Sequence, residues 1–435
     1  MKMPPNSKIN MQSTPAKSGL FYGYFIVAVS TLAMMLSNGF SIGGLPAFYP
    51  EMLKEMGSLG QAPNIARASA VTFILSGLLS PFAGQLLRRL NVKVFMSLGC
   101  LLLGMGLFLY SQAYVRPQIY AAHVLFGLTL CFLSLIPNTV LISNWFRQQR
   151  GTAMGIAVTG TSLGTVVIPL VASPLIRNYG WRNAMLLMSA SVWVLLLPLI
   201  WLIVRIRPQE VGQLPDGKST GEALPSSPPD PASLPGMTLS EAFRTPLFWI
   251  FSVCAMMLFY AILAVVQQLI IFLTSAQIGM TGEAARGVQA LMGTASIGGK
   301  LIFGVASDRW PRPKVNALCC AVLAAGCCML PFLSAQNATT FAVLFGLGYG
   351  GAFVTIQLLM AECFGLRDLG RIIACIAVIE TAGGALGNII TGEIAQRFDS
   401  YVTAYYGVII ASFIALLSGL FLVKKTVAFS EIRHR

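Results

Sequence analysis

The sequence predicts an all-α membrane protein: twelve transmembrane helices in two pseudo-symmetric six-helix bundles. Three observations lead there. The 435 residues are 56% hydrophobic and only 10% charged, with a mean hydropathy of +0.74, whereas a soluble domain carries roughly a quarter charged residues. Apolar windows of about 20 residues, long enough to cross the hydrocarbon, recur twelve times. The two halves also repeat each other. Val124-Leu125-Phe126-Gly127-Leu128 returns as Val343-Leu344-Phe345-Gly346-Leu347, and Ile156-Ala157-Val158 as Ile376-Ala377-Val378, at offsets of 219 and 220.

In chain order the spans fall near 21–46, 68–87, 94–112, 118–143, 152–174, 184–204, 246–273, 286–306, 315–333, 339–362, 372–392 and 403–423. Ahead of them, residues 1–20 hold Lys2, Lys8 and Lys17 among prolines and serines. No small-residue cleavage site follows the next apolar run, so this segment reads as a tail and not a signal peptide. The expected layout is a tail over 1–20, a six-helix bundle over 21–204, a linker over 205–245, a second bundle over 246–423 and a tail over 424–435. Pro208, Pro215, Pro225, Pro228, Pro229, Pro231 and Pro235 stand among serines and charges in the linker, a composition that predicts a flexible connection without a core.

Twelve crossings put both chain ends on one side. Arg88, Arg89, Lys93, Arg147, Arg150, Arg205, Arg207, Arg244, Arg309, Arg312, Arg367 and Arg371 fall in alternate loops, so the positive-inside rule places those loops and both termini in the cytoplasm. The formal net charge of +14 is then topological. Nucleic-acid binding would need a basic soluble domain, and the lipid bilayer is the expected surrounding instead. Parallel repeats with a site between them near the midplane describe an alternating-access transporter. An enzyme is not expected: there is no phosphate-binding G-x-x-x-x-G-K-[ST] loop and no nucleophile elbow. The nine cysteines lie in or beside apolar segments and form no ligand box, so they read as small packing residues, with neither a metal nor a cofactor.

Two charges inside spans point to the chemistry. Lys300 lies in Gly298-Gly299-Lys300-Leu301-Ile302-Phe303-Gly304. An ammonium at such a depth costs roughly 2.5–3.5 kcal/mol, so it faces a partner, a cavity or a substrate. Its helix end is about six residues away, roughly 9 Å, which leaves snorkelling open. Gly298, Gly299 and Ser296 beside it make a small polar face, and its repeat counterpart is Ser80. Glu380, the second charge, lies at similar depth, opposite Gly160 in the repeat; burial favours the neutral carboxyl, which suits a proton carrier. A standing ion pair with Lys300, or competition between Glu380 and a substrate anion for Lys300, both remain open. Glu393 sits near the outer end and reads as interfacial. Asn38, Asn138, Gln267, Gln268, Tyr349 and Gln357, on the first, fourth, seventh and tenth spans, are the other polar candidates for the site, each weighed against service as helix-to-helix glue. His123 reads as a packing residue.

The loop Gly304-Val305-Ala306-Ser307-Asp308-Arg309, with Arg312 and Lys314 after it, is similar to the G-x-x-x-D-R-x-x-R loop of the major facilitator superfamily. Its twin begins at Gly84 and departs from that pattern, with Arg88 in place of the aspartate, Arg89 after it, and Asn91 in place of a glycine. The resemblance implies that Gly84, Arg88, Arg89, Gly304, Asp308 and Arg309 form gating loops. Within the superfamily, Trp145-Phe146-Arg147-Gln148-Gln149-Arg150-Gly151 and the following Gly160-Thr161-Ser162-Leu163-Gly164 resemble the fifth-helix signature of monocarboxylate transporters and bacterial oxalate/formate-type antiporters. In that group an arginine on the eighth helix binds the substrate carboxylate, and the matching residue here is Lys300, a mobile point charge where arginine forks two bonds. Tyr22-Gly23-Tyr24 replaces the acidic-glycine motif of the animal members. The resemblance implies a transporter carrying a small organic anion, a monocarboxylate, with Lys300 as anchor; a monomer in a bacterial inner (plasma) membrane is expected, and the buried Glu380 leaves proton symport open. An anion exchanger, or drug/metabolite efflux by proton antiport, is the alternative, and the G-P-x-x-G-G motif of drug antiporters is absent.

Overall fold

The computed structural model describes residues 21–56, 62–87, 89–217, 236–365 and 367–433. Arg88 and the linker prolines from Pro225 to Pro235 lie outside the described residues. The first half comprises α1 (Gly23–Gly43), α2 (Ala62–Leu87), α3 (Val92–Ser111) and α4 (Arg116–Trp145). After them, the apolar stretch Arg150–Ile203 runs for 54 residues, which at 1.5 Å per residue is far more than one crossing needs. Gly180, at φ +76° and ψ 161°, breaks it in a conformation that glycine adopts without strain, giving α5 (150–179) and α6 (181–203). The second half comprises α7 (Pro246–Thr274), α8 (Gly282–Arg309), α9 (Arg312–Phe332), α10 (Ala338–Phe364), α11 (Leu369–Arg397) and α12 (Tyr401–Lys424). The expected twelve crossings are present.

Local chemistry sets several helix ends. Thr281 Oγ1 accepts from Ala284 N at the start of α8, while Arg309 stands in its last turn, where a cation meets the negative end of the helix dipole. Asn91, the departure from the loop motif, caps α3 by accepting from Lys93 N at 2.9 Å. Inside α4 the backbone breaks at Ser134 (φ −87°, ψ −126°). Asn138 answers the break by donating from Nδ2 to Leu133 O and Ser134 O, so freed carbonyls in the apolar zone keep partners. Asn138 is not part of the cavity wall, and its amide serves the helix break.

The packing repeats with the sequence. α1 packs on α5 as α7 packs on α11; α2 on α4 as α8 on α10; α3 on α4 and α6 as α9 on α10 and α12. Close approach depends on glycines where backbones meet. A Cβ at Gly346 would lie 2.4 Å from Met292 O, and one at Gly350 1.9 Å from Ser296 O, so the Gly-x-x-x-Gly face of α10 lets α8 seat against it. Six of the nine cysteines are buried, in keeping with their packing role. His123 is fully buried between Thr72 Oγ1 (2.9 Å to Nδ1) and Tyr110 OH (3.4 Å to Nε2), a packed and partnered histidine within the first half.

The linker is less free than its composition suggests. Gln213 Oε1 accepts from Tyr22 N, and the Asp216 carboxylate accepts from the backbone N–H groups of Arg147, Gln148 and Gln149 at 2.9–3.4 Å. On the other side Met237 N donates to Phe364 O and Leu239 N to Asp368 Oδ2. Both ends of the linker are thus pinned, one under each half, because single carboxylates satisfy loop N–H groups that no hydrophobic pattern announces.

Candidate functional site

The halves meet along two seams, α5 against α8 and α2 against α11. Along α8, Arg286, Gln289, Gly293, Ser296 and Lys300 follow a spacing of three and four, which keeps them on one helix face. Each meets the first half. Arg286 bonds Glu51 Oε1 at 3.0 Å and Ser173 Oγ at 3.0 Å, and Gln289 Nε2 donates to Gly43 O. Gly293 packs against Thr165, and Ser296 Oγ lies 2.7 Å from Ser162 Oγ.

Lys300 completes the stripe. Its amine donates to Thr161 Oγ1 at 2.6 Å and Val158 O at 3.3 Å, and lies 4.9 Å from the centre of the Phe353 ring. At 5% exposure it does not snorkel. Its three partners are a hydroxyl, a carbonyl and an aromatic face, all uncharged.

The other seam carries the repeat-equivalent residues Ala66, Ser69, Phe73, Ser76 and Ser80 on α2. Asn388 Nδ2 donates to Ala66 O and Ser69 Oγ, and Arg67 pairs with Glu393. Glu393 is thus a cross-half partner, which corrects its reading as merely interfacial. At the level of Lys300 no charged side chain bridges this seam: Thr381 Oγ1 fills the space a Cβ at Gly77 would need, and Ser80 turns back to Ser76 O. Thr161 and Thr381 are repeat-equivalent and each donates to the carbonyl three residues earlier, Val158 and Val378.

Between the seams lies a cavity of about 110 Å³. Phe73, Phe259, Tyr349 and Phe353 give it aromatic walls, and Asn38, Ser76, Thr161, Thr165 and Thr381 its polar atoms. Lys300 stands directly behind this wall, through Thr161 and Phe353. Of the polar candidates, Asn38 and Tyr349 line the cavity. Gln267 instead ties the halves, accepting from Tyr49 OH at 3.2 Å and donating to Ile42 O at 3.1 Å. Gln268 bonds Asn388, linking α7 to α11. Gln357 lies eight residues beyond Tyr349, about 12 Å along α10, and is not part of the wall. Thr161, Ser162 and Phe353 are the neighbours of the cavity and of the α8 stripe that a search for charges and amides passes over; the three-and-four spacing on α8 is the signal that leads to them.

Glu380 is 5% exposed and its Oε1 has no hydrogen-bond partner. It shares a helix face with Gly383 and Gly387, which pack on Met256 O and Tyr260 O of α7. Lys300 and Glu380 therefore belong to different helix pairs: the amine is held by α5, and the carboxyl is directed to the α7 side. The direct pairing left open by their common depth is not what the structure contains.

The ties among Glu51, Arg286, Gln267, Asn388 and Glu393 sit at the face opposite the basic loops. At the basic-loop face Arg89, Asp308 and Arg309 are exposed, and a Cβ at Gly84, Gly151 or Gly155 would meet nothing within 4 Å. Gly304 is nearly as open, with only Val354 Cγ1 at 3.9 Å. The molecule is closed on one face and open on the other.

The family profile described as Major Facilitator Superfamily matches residues 27–365 and 274–432. Monocarboxylate transporter 12 of Xenopus laevis is 24% identical over 92% of this chain and 87% of its own length. MFS transporter asaE of Aspergillus flavus is 26% identical over 60% of this chain, and the match spans 55% of that protein. Among solved structures, a bacterial homologue of the human lysosomal transporter Spinster, in an inward-facing and unoccupied conformation, shares the fold with a TM-score of 0.70 at 15% identity, covering 96% of this chain and 98% of that one.

Proposed function

Because the chain belongs to the major facilitator superfamily, whose members are transporters and not enzymes, we propose that it is a secondary active transporter of a small monocarboxylate, with Lys300 as the cation that the carboxylate meets. The observation behind this is the lysine's company. A buried ammonium is ordinarily matched by an anion, and this one has only a hydroxyl, a carbonyl and a ring. It stands behind the wall of a cavity between the two halves, where a carboxylate entering the cavity supplies the missing charge. The likeness to monocarboxylate transporter 12 supports the same cargo class.

Alternating access follows from the two faces. The basic loops place the open face toward the cytoplasm by the positive-inside rule, and the Arg286–Glu51 and Arg67–Glu393 ties close the other. Opening that face requires breaking them while the basic-loop ends approach, where exposed Asp308 and Arg309 become available for contact. Glu380 serves as the proton site: a neutral carboxyl tolerates an unbonded oxygen in an apolar interface better than a carboxylate does. With Lys300 and Glu380 on different helix pairs, proton and anion couple through the shared movement of the halves and not by exchange of one ion pair.

Uptake into proteoliposomes tests the anchor. Lys300→Gln is expected to abolish carboxylate uptake with the protein still folded, and Lys300→Arg to keep part of it; normal uptake by Lys300→Gln would remove Lys300 from the site. Glu380→Gln is expected to retain exchange and lose accumulation driven by a proton gradient; unchanged proton dependence would exclude Glu380 as the coupling group.

A further inference from the structure

We propose that the cargo is a monocarboxylate with an apolar, ring-sized body, a benzoate-like anion in preference to a dicarboxylate or a one- or two-carbon acid. This rests on the carboxylate site at Lys300 and adds what the rest of the cavity selects.

Four aromatic side chains from three helices form the walls: Phe73 of α2, Phe259 of α7, and Tyr349 and Phe353 of α10. Phe259 and Phe353 face each other at 6.1 Å between ring centres with an interplanar angle of 39°, an arrangement open to offset stacking with a third ring. The volume of about 110 Å³ is near the roughly 150 Å³ of an apolar cavity that holds benzene. A single ring fits.

Most donors of the wall are already engaged. Asn38 Nδ2 donates to Met34 O and Ser134 Oγ, Ser76 to Phe73 O, Thr161 to Val158 O, and Thr381 to Ala377 O. A hydroxylated or zwitterionic cargo would bring donors and acceptors that find few free partners, and each stranded group is penalised. Charge gives a second constraint. Lys300 is the cation that meets the wall, through Thr161 and Phe353, so a first carboxylate is neutralised and a second would be buried without a cation of its own. One charged end and an apolar remainder is the chemistry that satisfies both.

The test is calorimetric titration of the purified full-length protein with benzoate, cyclohexanecarboxylate, acetate and oxalate. Benzoate and cyclohexanecarboxylate are expected to bind at least about tenfold more tightly than acetate or oxalate. Phe259→Ala is expected to weaken benzoate about tenfold and leave acetate unchanged, with Phe259→Leu, which stays apolar, fills more of the space than alanine and lacks the ring, intermediate. Acetate or oxalate binding as tightly as benzoate would overturn this inference and leave the carboxylate site at Lys300 standing. Absence of binding by all four acids to folded wild-type protein would overturn both. An equal effect of Phe259→Ala on benzoate and acetate would also overturn the ring pocket, because it would mean a general disturbance of the site.

Discussion

At the α5·α8 seam a lysine reaches across the halves to Thr161 and Val158, whereas at the α2·α11 seam the repeat-equivalent level is closed by Thr381 filling the space beside Gly77. The two seams share their spacing, their threonines and their relation to the cavity, and at the level of those threonines they differ in Lys300 on one side against Ser80 on the other. The comparison teaches how a symmetric scaffold acquires a directional site. At the level of the cavity the packed seam is filled by Thr381 against Gly77, while the charged seam is joined there by bonds to an amine that a competing anion can take. One side resembles a hinge and the other a latch.

The largest expected effect on this comparison comes from the top of the charged seam. Arg286 has a side-chain exposure of 5%, and Glu51 one of 25%, so breaking the pair strands a partly buried carboxylate. Arg286→Gln is expected to destabilise the closed face by about 2 kcal/mol, below the 3–5 of a fully buried pair, and so shift the balance of states roughly thirtyfold toward opening there. Labelling of a Thr165→Cys variant by a membrane-impermeant reagent from that face should rise accordingly, and unchanged labelling would leave the pair without a gating role.

Gly77→Ala sharpens the other side. Its methyl group would collide with Thr381 Oγ1, and overpacking of this kind costs about 1–3 kcal/mol. Transport should fall, and Thr381→Ala should restore it by emptying the same space; failure of the double variant to recover would show that the seam is not held by volume. Thr161→Val acts on the latch itself. The amine loses a charge-assisted bond, which should lower the stability of the empty protein by about 1.5–3 kcal/mol and, because the anion's competitor is gone, tighten carboxylate binding. Weaker binding would mean that Thr161 serves the substrate and not the empty state.

The seams were legible in the sequence only in part. Twelve apolar windows and the repeat of Val124–Leu128 in Val343–Leu347 carried the architecture, whereas Lys300 among small residues left snorkelling open until its burial was known. Depth along a helix can be counted from residue numbers; the direction of a side chain between neighbouring helices cannot until the packing is known. Lys300 and Glu380 share a depth and so invited a pairing, but α5 holds one and α7 flanks the other. Asn138 and Gln267 were candidates because of the spans they lie on, weighed against helix-to-helix glue, and their bonds go to a helix break and a closing contact. Asp216 shows a different gap, since a proline-rich composition describes the average behaviour of a segment and not the one carboxylate that pins it to Arg147–Gln149.

The smallest expected effect lies outside the membrane. The hydrogen bond from Arg182 holds the Glu55 carboxyl below the usual range, against the opposing effect of burial, with Trp181 adding to it. A lowered carboxyl contributes stability above its unfolded value, near pH 4.3, and loses it as pH falls through the folded value. Half-exposed Glu55 makes the contribution about 1 kcal/mol or less. Glu55→Gln should lower Tm slightly at pH 7, by an amount that shrinks below about pH 4, and a difference independent of pH would assign the effect to packing.

Calorimetric titration of benzoate against wild type, Lys300→Gln and Lys300→Arg tests the central claim most directly. Removing one partner of a desolvated charge pair costs about 2–5 kcal/mol, so Lys300→Gln is expected to weaken binding by roughly a hundredfold or more, and Lys300→Arg, which keeps the charge and loses the fit, by about tenfold. Equal affinities in wild type and Lys300→Gln would contradict a carboxylate site at the charged seam.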